Sequence, residues 1–128
     1  MSESIGMIHA EAAPKAIGPY SQAVSVGSLV FLSGQIPLDP TTGELVTGGF
    51  AAEVVQVLAN LNAVLHAAGC RPDRIVKVTA FLTDLSLFGE FNELYARFFG
   101  DHRPARAVVQ VAALPRGARV EVEAVAVR

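Results

Sequence analysis

The chain has 128 residues, 52% of them hydrophobic and only 17% charged, with a formal net charge of -2, a length that suits one domain able to bury a core without disulfides or a structural metal. Basic and acidic residues are interleaved, so there is no basic face to neutralise several phosphates, and nucleic acid is not an expected partner. A charged share below the roughly 25% usual for soluble chains leaves too little polar surface to coat a small monomer; the excess apolar surface is expected to meet a copy of the chain.

No apolar run approaches the roughly 18 residues needed to span a bilayer, and the N-terminal MSESIGMIHAEAAP lacks the basic start and apolar core of a signal peptide. A soluble, cytoplasmic protein with no membrane partner is expected. Cys70 is the only cysteine, which rules out an internal disulfide and fits the same compartment. Next to the helix-ending Gly69, it reads as a bystander rather than a nucleophile.

In chain order, a small leading strand is expected at Met7 to Ala10, and Gly18 and Pro19 in APKAIGPYSQA read as a fixed turn delivering Tyr20. SQAVSV and SLVFLSG form a hairpin around Gly27. QIPLDPTTGELVTGG, rich in proline and glycine, reads as an irregular loop rather than a third strand. Between Phe50 and Ala68, the residues Val54, Leu58, Leu61, Leu65 and Ala68 recur at helical spacing, and Gly69 stops the helix. RIVKVTAFLT is a strand, and a second helix runs from about Leu87 to Phe99 with Phe88, Phe91, Tyr95, Phe98 and Phe99 on its apolar side and Gly100 at its end. The last segment, ARAVVQVAALPRGARVEVEAVAV, reads as two strands joined at Pro115 to Gly117. Val120, Val122, Ala124 and Ala126 face one way; Arg119, Glu121, Glu123, Val125 and Val127 face the other. The order ββαβαββ predicts an α+β fold, one mixed sheet with both helices on a single face and the other face used in assembly.

The search for chemistry removes most classes. His9, His66 and His102 are scattered and stand in no zinc-ligand spacing. LSGQ around Ser33 is not a nucleophile elbow, and no phosphate-binding glycine loop opens either helix, so no metal or nucleotide cofactor is expected. What remains is Arg106 on one strand and Glu121 or Glu123 on the next. On one face of HRPARAVVQV lie Ala105, Ala107, Val109 and Val111, expected to be the drier side; Arg106, Val108, Gln110 and Ala112 point the other way. The plain reading is a cross-strand ion pair, worth little at a surface. The alternative is a ligand carboxylate: Pro104 fixes the start of the strand, and a guanidinium there offers a planar fork.

IGPYSQA, LSGQIPLDPTTGEL, FNELYARFF, PARAVVQVAALP and VEVEAVAV, in this order and spacing across nearly the whole chain, resemble the RidA family, also called YjgF/YER057c/UK114. The resemblance implies a chorismate-mutase-like (bacillus-type) fold, a homotrimer whose sheets pack into a central barrel, and ligand sites in clefts between subunits. It also implies a cofactor-free 2-iminobutanoate/2-iminopropanoate deaminase. Such an enzyme hydrolyses enamines and imines, such as 2-aminoacrylate and 2-aminocrotonate, to 2-keto acids and ammonia. Those species leave pyridoxal-phosphate enzymes such as serine/threonine dehydratase, an indirect metabolic link.

Carried over motif by motif, the resemblance makes Arg106 the grip on the substrate carboxylate and Glu121 the group that positions or activates water. Tyr20, Ser33, Gly34 and Asn92 complete the pocket, and Phe88, one turn before Asn92, supplies an apolar wall. Many members of the family have a cysteine where this chain has Val108; a backbone N–H donor at that position would serve with either side chain. Tyr20 and Asn92 also have a structural reading as caps of turns or helix ends, and Ser33 as a strand-end group. Two other functions remain open. One is a non-catalytic module that binds a small carboxylate. The other is the ribonuclease or translation-inhibitor activity ascribed to some relatives, for which the sequence offers neither a basic face nor a histidine acid/base pair.

Overall fold

The computed structural model describes residues 4–128; the first three residues of the N-terminal stretch read above lie outside it. One six-stranded mixed sheet carries two helices. The strands are β1 (Ile5–Ile8), β2 (Ala23–Val26), β3 (Leu29–Gln35), β4 (Ile75–Leu82), β5 (Ala105–Gln110) and β6 (Val120–Val127), ordered β1-β2-β3-β6-β4-β5. The helices are α1 (Phe50–Ala67) and α2 (Phe88–Phe99). Among the described residues only β4 and β5 pair in parallel, joined through α2, as a parallel pair requires a crossover.

The periodicities translate directly into the core. Val54, Leu58, Leu61 and Leu65 of α1 and Phe91, Tyr95 and Phe99 of α2 are buried against Val30, Leu32, Val78, Ala80, Leu82, Val120 and Val122 of the sheet. Gly69 and Gly100 end the helices with φ of 77° and 61°, a region where a Cβ is strained. By length and composition α1 could cross a bilayer, with a mean hydropathy of 1.3. Its apolar stripe, however, packs on the sheet and it buries Glu53 and Asn60, so it is the core helix. Residues 36–49 form the expected loop, with one isolated bridge from Leu38 to Leu45, while Gln35, read as the start of that loop, is the last residue of β3. The leading strand starts two residues earlier than the sequence suggests, at Ile5, and Leu87 belongs to a short 3-10 turn ahead of α2.

Two placements differ from the sequence reading. First, β5 and β6 are not neighbours: β4 lies between them and pairs with both, so the cross-strand ion pair between Arg106 and Glu121 or Glu123 does not form. Second, the alternation in β5 is right, but the side expected to be drier is not buried, and neither face of this edge strand is. Arg106 registers with the core residue Val78, which puts it and Val108 on the helix-bearing face, while Val109, on the side expected to be drier, is 41% exposed. That side belongs to the helix-free face of the sheet. Phe31, 45% exposed, Leu29 and Val125 lie there as well, leaving a broad apolar surface open.

Asn60, 1% exposed, anchors the loop to α1. Its Nδ2 donates to the carbonyls of Ile36 and Leu38 at 3.2 and 2.9 Å, and its Oδ1 accepts from Gln56. Replacing it with alanine strands two carbonyls beside a core; Asn60→Ala is expected to lose about 2–4 kcal/mol in urea unfolding. Asn60→Asp, which cannot donate to the carbonyls when ionised, should not recover it.

Candidate functional site

The residues singled out in the sequence assemble into two clefts. The first is built on the edge strand β5 and the face of α2 above it. Asn92 Oδ1 accepts a hydrogen bond from Arg106 Nη1 at 2.7 Å. The guanidinium carbon lies 4.8 Å from the centre of the Tyr95 ring and 5.6 Å from that of Phe88, cation-π distances that hold the fork in one orientation. Phe88, Asn92 and Tyr95 can all reach one arginine because steps of four and three share a helix face. With Ala96, Arg103 and Pro104, the residues Asn92, Tyr95 and Arg106 line a cleft of about 390 Å³. Among the described residues the ion pairs are His9–Glu11, Arg71–Asp73 and Arg119–Glu53, so no carboxylate neutralises Arg106.

Val108, also in β5, packs against the core. The Val111 N–H donates to Leu82 O on β4 at 2.9 Å. Peptide directions alternate along a strand, so the N–H groups of Arg106 and Val108 point to the free edge of the sheet.

The second cleft, about 370 Å³, lies around the helix-free face. Glu121 alternates with the buried Val120 and Val122, which sends its carboxylate to that side. It rests on the backbone of Gly34, where β3 carries a bulge between Leu32 and Gln35. A Cβ on Gly34 would collide with the Glu121 carboxylate, 2.9 Å from its Cδ, so only glycine lets the acid lie there. Tyr20, Ser33, Lys15 and Pro115 line the same cleft. Ser33 Oγ donates to Ser21 O at 2.6 Å, the strand-end role of its structural reading. The Tyr20 hydroxyl accepts weakly from Ile17 N–H at 3.4 Å.

Two groups that the sequence reading passed over position this cleft. Gln22 is buried and clamps the turn before Lys15, accepting from Ala10 N–H at 2.6 Å and donating to Pro14 O at 2.8 Å. Glu53, buried on α1, accepts from the backbone N–H and the side chain of Arg119, fixing the start of β6 two residues before Glu121. A glutamine or glutamate interrupting an apolar run was the available signal.

Arg106, Asn92 and Phe88 are thus brought together, as are Glu121, Gly34, Ser33 and Tyr20. The two groups are not joined within one chain. Arg106 and Glu121 register with Val78 and Phe81 of β4, roughly 10 Å apart along the strand, on flanking strands roughly 10 Å apart, and on opposite faces. Burial holds the Glu121 carboxyl above the ordinary glutamate range, and the neighbouring charge of Glu123 adds to the effect. The raised carboxylate is a stronger proton acceptor than an ordinary glutamate. Among the described residues no three His, Cys, Asp or Glu side chains gather into a metal-holding group.

A cradled arginine without an anion and a half-buried carboxylate, on a two-helix mixed sheet, define an α+β protein with small-ligand clefts. The family model described as Endoribonuclease L-PSP matches residues 10–128, and the chain belongs to that family, the RidA family its motifs resemble. It is 54% identical over 116 residues to the 2-iminobutanoate/2-iminopropanoate deaminase of Mus musculus, covering 91% of this chain and 86% of that protein. The fold matches YyfA of the Rid protein family from Yersinia pestis, with a TM-score of 0.95, 44% identity and coverage of 98% and 100%. It also matches Escherichia coli TdcF with bound serine, with a TM-score of 0.91, 45% identity and coverage of 96% and 99%.

Because burial is the larger cause and Glu123 the smaller, Glu123→Gln should lower the Glu121 pKa while leaving it above that of an ordinary glutamate. Carboxyl ¹³C titration by NMR measures this directly. A Glu121 pKa that ignores the substitution would contradict the assignment.

Proposed function

We propose that the protein is a hydrolytic deaminase converting 2-imino acids, with their enamine tautomers such as 2-aminoacrylate and 2-aminocrotonate, into 2-keto acids and ammonia. The carrying observation is Arg106: a guanidinium held by Asn92 and two rings, with no carboxylate partner among the described residues. Such a group is a ready receptor for a ligand carboxylate. The deaminase named above, at 54% identity, supports the same reading.

Since Arg106 and Glu121 leave opposite faces of the sheet, a site using both takes them from two copies of the chain. The open apolar face supplies the reason for copies to associate; a homotrimer with this face lining a central barrel is the arrangement we propose. In the shared cleft Arg106 and the edge-facing Val108 N–H hold the substrate carboxylate, with Phe88 as an apolar wall. Glu121 takes a proton from a water molecule that adds to the imine carbon. The carbinolamine that forms expels ammonia, leaving the 2-keto acid. Tyr20, Ser33 and Gly34 close the cleft around the reacting carbon. No cofactor enters this scheme. For the endoribonuclease named in the family description the histidines give little support: none of them lines either cleft.

The test couples the purified protein to a serine or threonine dehydratase and follows release of keto acid. Arg106→Ala should lose about ten- to a hundredfold in kcat/KM, the effect of deleting a charge-assisted bidentate contact. Glu121→Gln should bind ligand yet lose about 10²–10⁴-fold in turnover. The base works as the carboxylate, so the rate should fall as pH drops, with the acid limb above the ordinary glutamate range. Equal rates for wild type and Arg106→Ala would overturn the proposal, and retained ligand binding with no wild-type turnover would make the protein a carboxylate-binding module instead.

A further inference from the structure

The Arg106 cleft holds a second cation that the proposed reaction does not use. Arg103 lines it together with Arg106, Asn92 and Tyr95, and no acidic side chain is among the lining residues. The Arg103 guanidinium is held by its own backbone: Nη1 donates to the carbonyl of Gly100, at the end of α2, and to that of His102 at 3.0 Å. A guanidinium carries five N–H donors, so those on Nε and Nη2 remain unspent, and the fork is held in place before any ligand arrives. Arg106 has a similar arrangement, with Nη1 bonded to Asn92 and its other donors free.

Tyr95, 7% exposed, lines the cleft with both, and its hydroxyl has no hydrogen-bond partner among the described residues. A buried hydroxyl without a partner is uncommon and costly. Both arginines act on this phenol, each favouring its ionised form against the larger effect of burial. The cleft therefore gathers two cationic forks and one unspent hydroxyl, with a volume in the range of small-molecule sites. One carboxylate can satisfy only one of those forks.

We infer that Arg103 is a specificity-determining residue, and that the preferred ligands carry a second carboxylate: the 2-imino acids derived from acidic amino acids, with the α-carboxylate on Arg106 and the side-chain carboxylate on Arg103. This rests on the proposed deaminase reading and narrows its substrate class. The reaction stays a hydrolysis: water adds to the C=N carbon, the C–N bond breaks, and the products are ammonia and a 2-keto dicarboxylate. The supplying reaction is then one that oxidises an acidic amino acid to its imine.

The products themselves are the probes, because they bind without turnover. Calorimetry with 2-oxoglutarate and 2-oxobutanoate gives two dissociation constants for the wild type and for Arg103→Gln and Arg103→Lys. The dicarboxylate should bind wild type roughly tenfold or more tightly than the monocarboxylate, a ratio worth about 1.4 kcal/mol. Arg103→Gln should collapse that ratio, and Arg103→Lys should restore part of it. If Arg103 only caps α2, both constants shift together and the ratio stands, which overturns the inference; a wild type without preference does the same. A protein that turns over a monocarboxylic imine yet shows no preference loses this inference alone, whereas one that turns over no imine loses the deaminase reading.

Discussion

β4 is the constraint around which the rest is arranged. It stands between the strand that carries Arg106 and the strand that carries Glu121, and the alternation of the sheet sends the two side chains to opposite faces. Pairing them inside one chain would have given an ion pair of little consequence. Kept apart, each stays unspent: the arginine lacks an anion among the described residues, and the carboxylate is desolvated and harder to ionise. Desolvation makes the carboxylate costly to leave so in an isolated domain, and the exposed arginine keeps donors open to a ligand, which is the reason to read them as halves of a site that a ligand and a second copy complete.

Each half is held by devices that tolerate little change. On the helix side, Asn92 and the rings of Tyr95 and Phe88 fix the guanidinium, and Phe91, Tyr95 and Phe99 tie that helix face into the core. On the open side, a bulge in β3 brings Gly34 under the Glu121 carboxylate, and the Glu53–Arg119 pair sets where β6 begins. Buried Gln22 and Asn60 tie down the two loop segments that border the cleft. The polar groups spent inside the molecule thus serve to position loops, and the ionisable groups left at its clefts remain free for chemistry.

Much of this was legible in the amino-acid order, and the failures have physical causes. The stripes of Val54, Leu58, Leu61 and Leu65 and of Phe91, Tyr95 and Phe99 declared both helices because their spacing matches the helical turn. Alternation in VEVEAVAV assigned the faces of β6 correctly. Strand order was not available from it: adjacency in sequence suggested that β5 and β6 pair, whereas the crossover through α2 inserts β4 between them. Burial of β5 was misjudged for a related reason, since small apolar residues look dry until one knows that the face beneath them is uncovered. The motifs singled out the candidate residues, yet composition and periodicity carry no information on which of them a single chain can bring together. That required the register of three strands.

The most direct measurement is complementation between two disabled chains. Arg106→Ala and Glu121→Gln, each nearly inactive alone, are co-expressed and purified as mixed assemblies, and imine hydrolysis is compared with wild type. If each site draws its arginine from one copy and its carboxylate from the next, random mixing in a cyclic assembly should restore about a quarter of wild-type activity. Activity no higher than that of the separate variants, in assemblies shown to contain both chains, would contradict a site shared between copies.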